Sequence, residues 1–131
     1  MKQEEHNLQC ACVRWFNLQY PQYRGLLFAV PNGGARNKAT AGKLKAEGVV
    51  AGVADLLLLV PRKTCNDPLI LSTTYHGLAI EMKTAKGRQT PLQWAWQQKL
   101  EAHGYEYRIC RSLDDFIDTI EQYLKFDYFC T

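Results

Sequence analysis

Long apolar runs are missing from this chain. Its main aliphatic stretch runs only from Leu56 to Val60, far short of the roughly 20 residues that cross a bilayer as a helix, so no membrane span is expected. The opening Met-Lys-Gln-Glu-Glu-His-Asn is too polar for a secretory signal, and an intracellular, cytoplasmic protein is expected. Paired-cysteine motifs are missing too. Five cysteines stand at 10, 12, 65, 110 and 130, and only Cys10 and Cys12 are neighbours, at a spacing unlike the two-residue gap of zinc sites. They read as buried or incidental thiols, and His6, His76 and His103, which also lack ligand spacing, read as structural. Nor does one charge dominate. The formal net charge is +3 over 131 residues, so attraction to a polyanion must come from local patches rather than from a uniformly basic surface. Repeats and low-complexity tracts are absent.

What is present suffices for one compact domain over residues 1–131, since 47% of the chain is apolar. Its charge is divided. Arg36, Lys38, Lys43 and Lys45 against Glu47 leave segment 31–48 at +3, whereas the acids after Ser112 (Asp114, Asp115, Asp118, Glu121, Asp127) against Lys125 give −4. Because the whole carries +3, the remainder carries +7, and a basic face is available.

Periodicity gives the elements. Leu8, Cys12, Trp15 and Phe16 recur at helical spacing, predicting a helix over about residues 4–19 that ends at Tyr20-Pro21. Leu26 to Val30 predicts a strand closed by the turn-forming Pro31-Asn32-Gly33-Gly34. Ala35 to Glu47 predicts a short basic helix stopped at Gly48. Ala54 to Val60 suits a central strand covered on both faces, 61–75 a loop, and His76 to Lys83 the next strand. Thr90, Pro91 and Gln93 fit the cap, first-turn and capping-box positions of a helix with the stripe Leu92, Trp96 and Leu100, closed by Gly104. Tyr105 to Cys110 alternates as a last strand, and Ser112 caps a helix carrying Phe116, Ile117, Ile120 and Leu124. The order implies an α/β fold with a central mixed sheet flanked by helices.

Three charged residues interrupt or border the apolar strands: Asp55, Glu81 and Lys83. Burying an unpaired charge costs several kcal/mol, roughly, so their presence needs a reason. Strand alternation puts Glu81 and Lys83 on one face and sends Met82 into the core, and a hairpin-like connection would set Asp55 beside Glu81. Paired carboxylates beside an ammonium make a site for a hard divalent cation. A structural salt bridge is the plainer reading for any one of them alone; the trio, next to a glycine-rich turn and a basic helix, favours the functional one.

Asp55 followed by Glu81-Met82-Lys83 on the next strand resembles the PD-(D/E)XK nuclease signature. The ordered blocks Pro31-Asn32-Gly33-Gly34, Gly48 through Gly52 to Asp55, Glu81-x-Lys83, Gly87-Arg88-Gln89 and Gln93 resemble the VRR-NUC (virus-type replication-repair nuclease) family, over about Glu5 to Leu124. Ala54 stands where the name-giving motif has proline; a proline there shapes backbone and binds no metal. The resemblance implies a restriction-endonuclease-like fold and a Mg²⁺-dependent phosphodiesterase in which Mn²⁺ can substitute, with Asp55 and Glu81 holding the metal and the Met82 carbonyl as an added ligand. Phosphodiester hydrolysis needs a hydroxide at neutral pH and a cation on the phosphate oxygens, and a bound metal supplies both.

An ammonium cannot accept a proton, so Lys83 is read as orienting the attacking water and stabilising transition-state charge, ahead of acting as general base. Glu5 matches the acid the family carries on its first helix, and Glu4 is near-equal on geometry. Gln93 corresponds to the family glutamine that reaches the water, metal shell or phosphate, and it is equally a capping-box residue. Asn32, Gly33 and Gly34 are read as offering backbone amides to DNA, or as a plain tight turn. Arg36, Lys38, Lys43, Lys45, Lys86 and Arg88 are candidate phosphate contacts. Trp94 and Trp96 are assigned to core or interface. The expected activity is structure-selective cleavage of branched, flapped or junction DNA by a homodimer whose tail, Phe126, Tyr128 and Phe129, offers apolar surface. The alternatives are a non-catalytic nucleic-acid-binding module of the same fold, and a hydrolase of another phosphodiester.

Overall fold

Alternation along the four strands sorts the apolar side chains into two layers, and the helices cover them. The computed structural model describes residues 2–31, 38–62 and 74–129. Helix α1 spans Lys2–Gln19 and is followed by a 3-10 turn at Pro21–Tyr23. Then come β1 (Leu27–Ala29), α2 (Lys38–Ala46), β2 (Leu56–Leu58), β3 (Leu78–Met82), α3 (Pro91–Ala102), β4 (Glu106–Cys110) and α4 (Leu113–Phe129). The sheet order is β1-β2-β3-β4. β1/β2 and β2/β3 pair antiparallel, and β3/β4 pairs parallel with α3 as the crossover. A mixed sheet flanked by helices is therefore what the sequence folds into.

The predicted elements are present, mostly shorter than the apolar runs that announced them. The strand expected over His76 to Lys83 is regular only for Leu78–Met82, although its ends still hydrogen-bond to neighbours: His76 N–H to the Gly104 carbonyl at 2.8 Å, Lys83 N–H to the Cys110 carbonyl at 3.0 Å. The 3-10 turn was not foreseen. The turn at Asn32, Gly33 and Gly34 and all of Arg36 lie outside the described residues, and of Lys38, Phe126, Tyr128 and Phe129 only the backbone is described.

One face of the sheet is dry. Leu27, Leu56, Leu58, Leu78, Ile80, Met82 and Cys110 meet Cys12 and Phe16 of α1 and Phe116, Ile120 and Tyr123 of α4, and burial of this apolar area is the main favourable term in folding. The Tyr123 hydroxyl donates to the Val60 carbonyl at 2.7 Å, so its polar end is satisfied. The other face is thinner. Ala54, Ala79 and Tyr107 are buried there under partly buried Leu57, Trp96, Leu100 and Ile109. Leu92, assigned to the inward stripe of α3, is instead 61% exposed; it lies in the first turn, where the main chain of α3 rests on Gly52. A Cβ at Gly52 (φ +87°) would come within 2.7 Å of the Leu92 carbonyl group, so only glycine allows the segment leading to Asp55 to pack against α3. No helix among the described residues is long and apolar enough to cross a membrane.

Candidate metal centre

Asp55 stands one residue before β2, and the register that pairs Leu56 with Ile80 sets it opposite Glu81. Its main chain is held by β1, since the Val30 N–H donates to the Asp55 carbonyl at 2.9 Å. Its side chain is held by β3: the Met82 N–H donates to Oδ2 at 2.8 Å. The predicted adjacency of the two acids is thus built from three strands.

Glu81 is 2% exposed, and its Oε1 is buried with no hydrogen-bond partner. Its carboxyl lies beside that of Asp55, close enough for Asp55 to favour the protonated form. Burial pushes the Glu81 carboxyl up to about 9, reinforced by Asp55; Lys83 opposes the shift and Glu5 adds to it. At neutral pH, without metal, Glu81 therefore keeps its proton. A buried carboxyl beside a second one, with one oxygen unpartnered, fits a small hard cation: exchange of the Glu81 proton for the ion would supply charge, and the unpartnered oxygen would gain a ligand bond.

The surrounding predicted residues fall as follows. Met82 packs its side chain in the core and, with Asp55, lines a cleft beside α1. Lys83 is buried on the Glu81 side of the strand, 9% exposed, close enough to act on that carboxyl. Of the two acids on α1, Glu5 is partly buried, lines the same cleft and is felt by Glu81, whereas Glu4 is exposed. Among the described residues no three His, Cys, Asp or Glu side chains gather into a ready cage. A cation here would take two carboxylates and fill its shell with main-chain and water oxygens, as Mg²⁺ ordinarily does.

Gln93 is occupied as a cap. Its Oε1 accepts from the Thr90 N–H at 2.9 Å while its own N–H donates to Thr90 Oγ1 at 3.1 Å. Lys43, Lys45, Lys86 and Arg88 are exposed, the last two three and five residues after Lys83. Trp94 is 57% exposed, and Trp96 stands edge-on to Tyr107 with ring centroids 6.3 Å apart. Cys12 and Cys110 are buried, which pushes both thiols up, Cys12 to about 12; neither is a reactive thiolate.

Three residues given no role in the sequence reading support the centre. Tyr107 of β4 is buried, its hydroxyl pushed up to about 12 by that burial and by the Glu81 and Asp55 charges, against a hydrogen bond from Gln89. Gln89 donates to Gln97 Oε1 at 2.7 Å and to the Tyr107 hydroxyl at 3.3 Å, pinning the segment after Lys83 to α3 and β4. Arg111 donates through Nη1 to the carbonyls of Thr84, at 2.9 Å, and Gly87, closing the turn that leaves Lys83. Alternation alone places Tyr107 inward, but nothing local marks Arg111, whose partners are more than 20 residues away.

A mixed sheet carrying an aspartate opposite a Glu-x-Lys strand is the arrangement that the resemblance to a nuclease-type α/β domain implies. The model of the VRR-NUC domain matches residues 1–114, so the chain belongs to the VRR-NUC domain family. Among solved structures it is similar to one described as a VRR_NUC domain protein, at 27% identity and a TM-score of 0.73, over 93% of this chain and 88% of that one. No curated protein matches.

Proposed function

We propose that this chain is a Mg²⁺-dependent DNA endonuclease, served also by Mn²⁺, that hydrolyses phosphodiester bonds in branched, flapped or junction DNA during replication, repair or recombination. The observation that carries the reading is Glu81, a carboxyl buried in a strand beside Asp55 with one oxygen unpartnered. A fold that only needed stability would place a hydrophobic residue there at no such cost. When bound, the cation supplies positive charge opposite the phosphate oxygens and makes water a usable nucleophile at neutral pH. Asp55 and Glu81 hold it, the Met82 main chain fixes Asp55, and Glu5 adds negative charge from α1. Lys83 presents its ammonium to the attacking water and to the charge that develops on the phosphate.

The test is incubation with Mg²⁺ or Mn²⁺ and a panel of linear, flapped and four-way DNA, comparing wild type with Asp55→Asn. Cleavage favouring the branched substrates and lost in the variant is expected. Binding without cleavage under either metal would instead support a non-catalytic module of the same fold. A homodimer belongs to the same proposal, because one such centre cuts one strand at a time. Light scattering coupled to gel filtration should report twice the chain mass at working concentration; the monomer mass would remove the dimer.

A further inference from the structure

A cleft of about 920 Å³ runs beside α1 and takes in both Asp55 and Met82. One wall is the face of α1 from Glu5 to Leu18, and the other includes Arg24 and Ala29 to Pro31. Two properties are combined in it. Its lining is largely apolar, with Val13, Leu18, Val30 and Pro31, and it carries the exposed guanidinium side chains of Arg14 and Arg24. Among the described residues the carboxylates that line it are Glu5 and Asp55, both at the candidate metal centre. Arg14 follows Glu5 by nine residues on α1, about 14 Å along the helix, or about four stacked nucleotides at 3.4 Å each.

A duplex offers phosphates on its outside and keeps its base faces stacked within, so it uses the arginines and gains nothing from the apolar wall. A strand with unpaired bases uses both. We infer that the cleft receives an unpaired polynucleotide strand, its phosphates on Arg14 and Arg24 and its bases against Val13 and Leu18, and leads that strand to Asp55. The inference rests on the nuclease reading and names what enters the site: the unpaired arm of a branched substrate.

Fluorescence anisotropy with the full chain in EDTA tests it without requiring cleavage. The probes are a thymidine oligonucleotide, the matching uridine strand, an abasic strand of the same length and a blunt duplex. The thymidine strand should bind about tenfold tighter than the duplex or the abasic strand. In Arg14→Ala/Arg24→Ala, with an unchanged circular dichroism spectrum, that affinity should fall about tenfold, and the salt slope should drop by about 1.4, for two contacts at about 0.7 each. Duplex affinity should fall with it, because a duplex uses the same two arginines, so the roughly tenfold preference for the thymidine strand should be kept. Equal uridine binding would extend the cleft to RNA, and weaker uridine binding would restrict it to DNA; both support it. Abasic and thymidine strands binding alike, or a double variant that binds every probe as wild type does, overturns it. Cleavage that persists beside such a result leaves the nuclease reading standing, whereas strand binding by a chain that cuts nothing fails that reading and keeps the cleft.

Discussion

The two faces of β3 solve opposite problems with the same backbone. Leu78, Ile80 and Met82 point into a dry layer closed by α1 and α4, while Ala79 and Glu81 point to the side covered by α3, where the layer is thinner. Every residue of the strand is buried, yet on one side burial is favourable and on the other it forces a carboxyl to keep a proton. The difference separates what holds the fold from the proposed metal centre: the dry side stabilises the strand firmly enough that the other side can tolerate a group in the wrong solvent.

Lys83→Ala should break that comparison most sharply. With the ammonium gone, cleavage should fall by about 10³-fold, equivalent to about 4 kcal/mol of transition-state stabilisation, while Mn²⁺ affinity measured by calorimetry stays near wild type. Metal affinity lost to the extent seen in Asp55→Ala would move Lys83 into the metal shell. On the dry side, Phe16→Ala should cost about 3–5 kcal/mol in chemical denaturation, because a fully buried ring leaves a cavity. Glu81→Gln should leave the metal-free protein at pH 8 as stable as wild type or more so, since folding then no longer has to put a proton on a group that is ionised in the unfolded chain. A comparable loss in both variants would mean that Glu81 is a structural residue.

The pH dependence has a definite sign. Between the ordinary glutamate value of 4.5 and about 9, the folded metal-free protein holds a proton on Glu81 that the unfolded chain has released. Its contribution to stability therefore falls as pH rises through that window, by up to about 1.4 kcal/mol per pH unit, and Glu81→Gln should flatten the slope. Mn²⁺ competes with the same proton, so its affinity should rise about tenfold per pH unit between pH 6 and 8, with about one proton released into the buffer per ion bound. The smallest effect falls at the edge of the site: Thr90→Ala should lower stability by about 1 kcal/mol through loss of the cap on α3, with the metal affinity unaltered.

Much of this was legible in the residues. Alternation through Glu81-Met82-Lys83 gave the two-faced strand, the antiparallel neighbour gave the Asp55 contact, and Thr90 with Gln93 gave the start of α3 down to its reciprocal hydrogen bonds. These follow from periodicity and capping, which are local. Leu92 was misplaced because helical spacing says which residues share a stripe, not where along the helix its neighbour ends; the main chain over Gly52, rather than its side chain, makes the contact. The choice between Glu4 and Glu5 turned on the rotation of α1 about its axis, fixed by Cys12 and Phe16 in the core. Arg111 and the Gln89–Tyr107 contact join segments distant in sequence, and no local pattern encodes them.

Diffraction from a crystal soaked in Mn²⁺, with anomalous data, tests the central claim most directly. The account predicts one strong peak bridging oxygens of Asp55 and Glu81 at about 2.1 Å. Manganese bound elsewhere, or not at all, would contradict it.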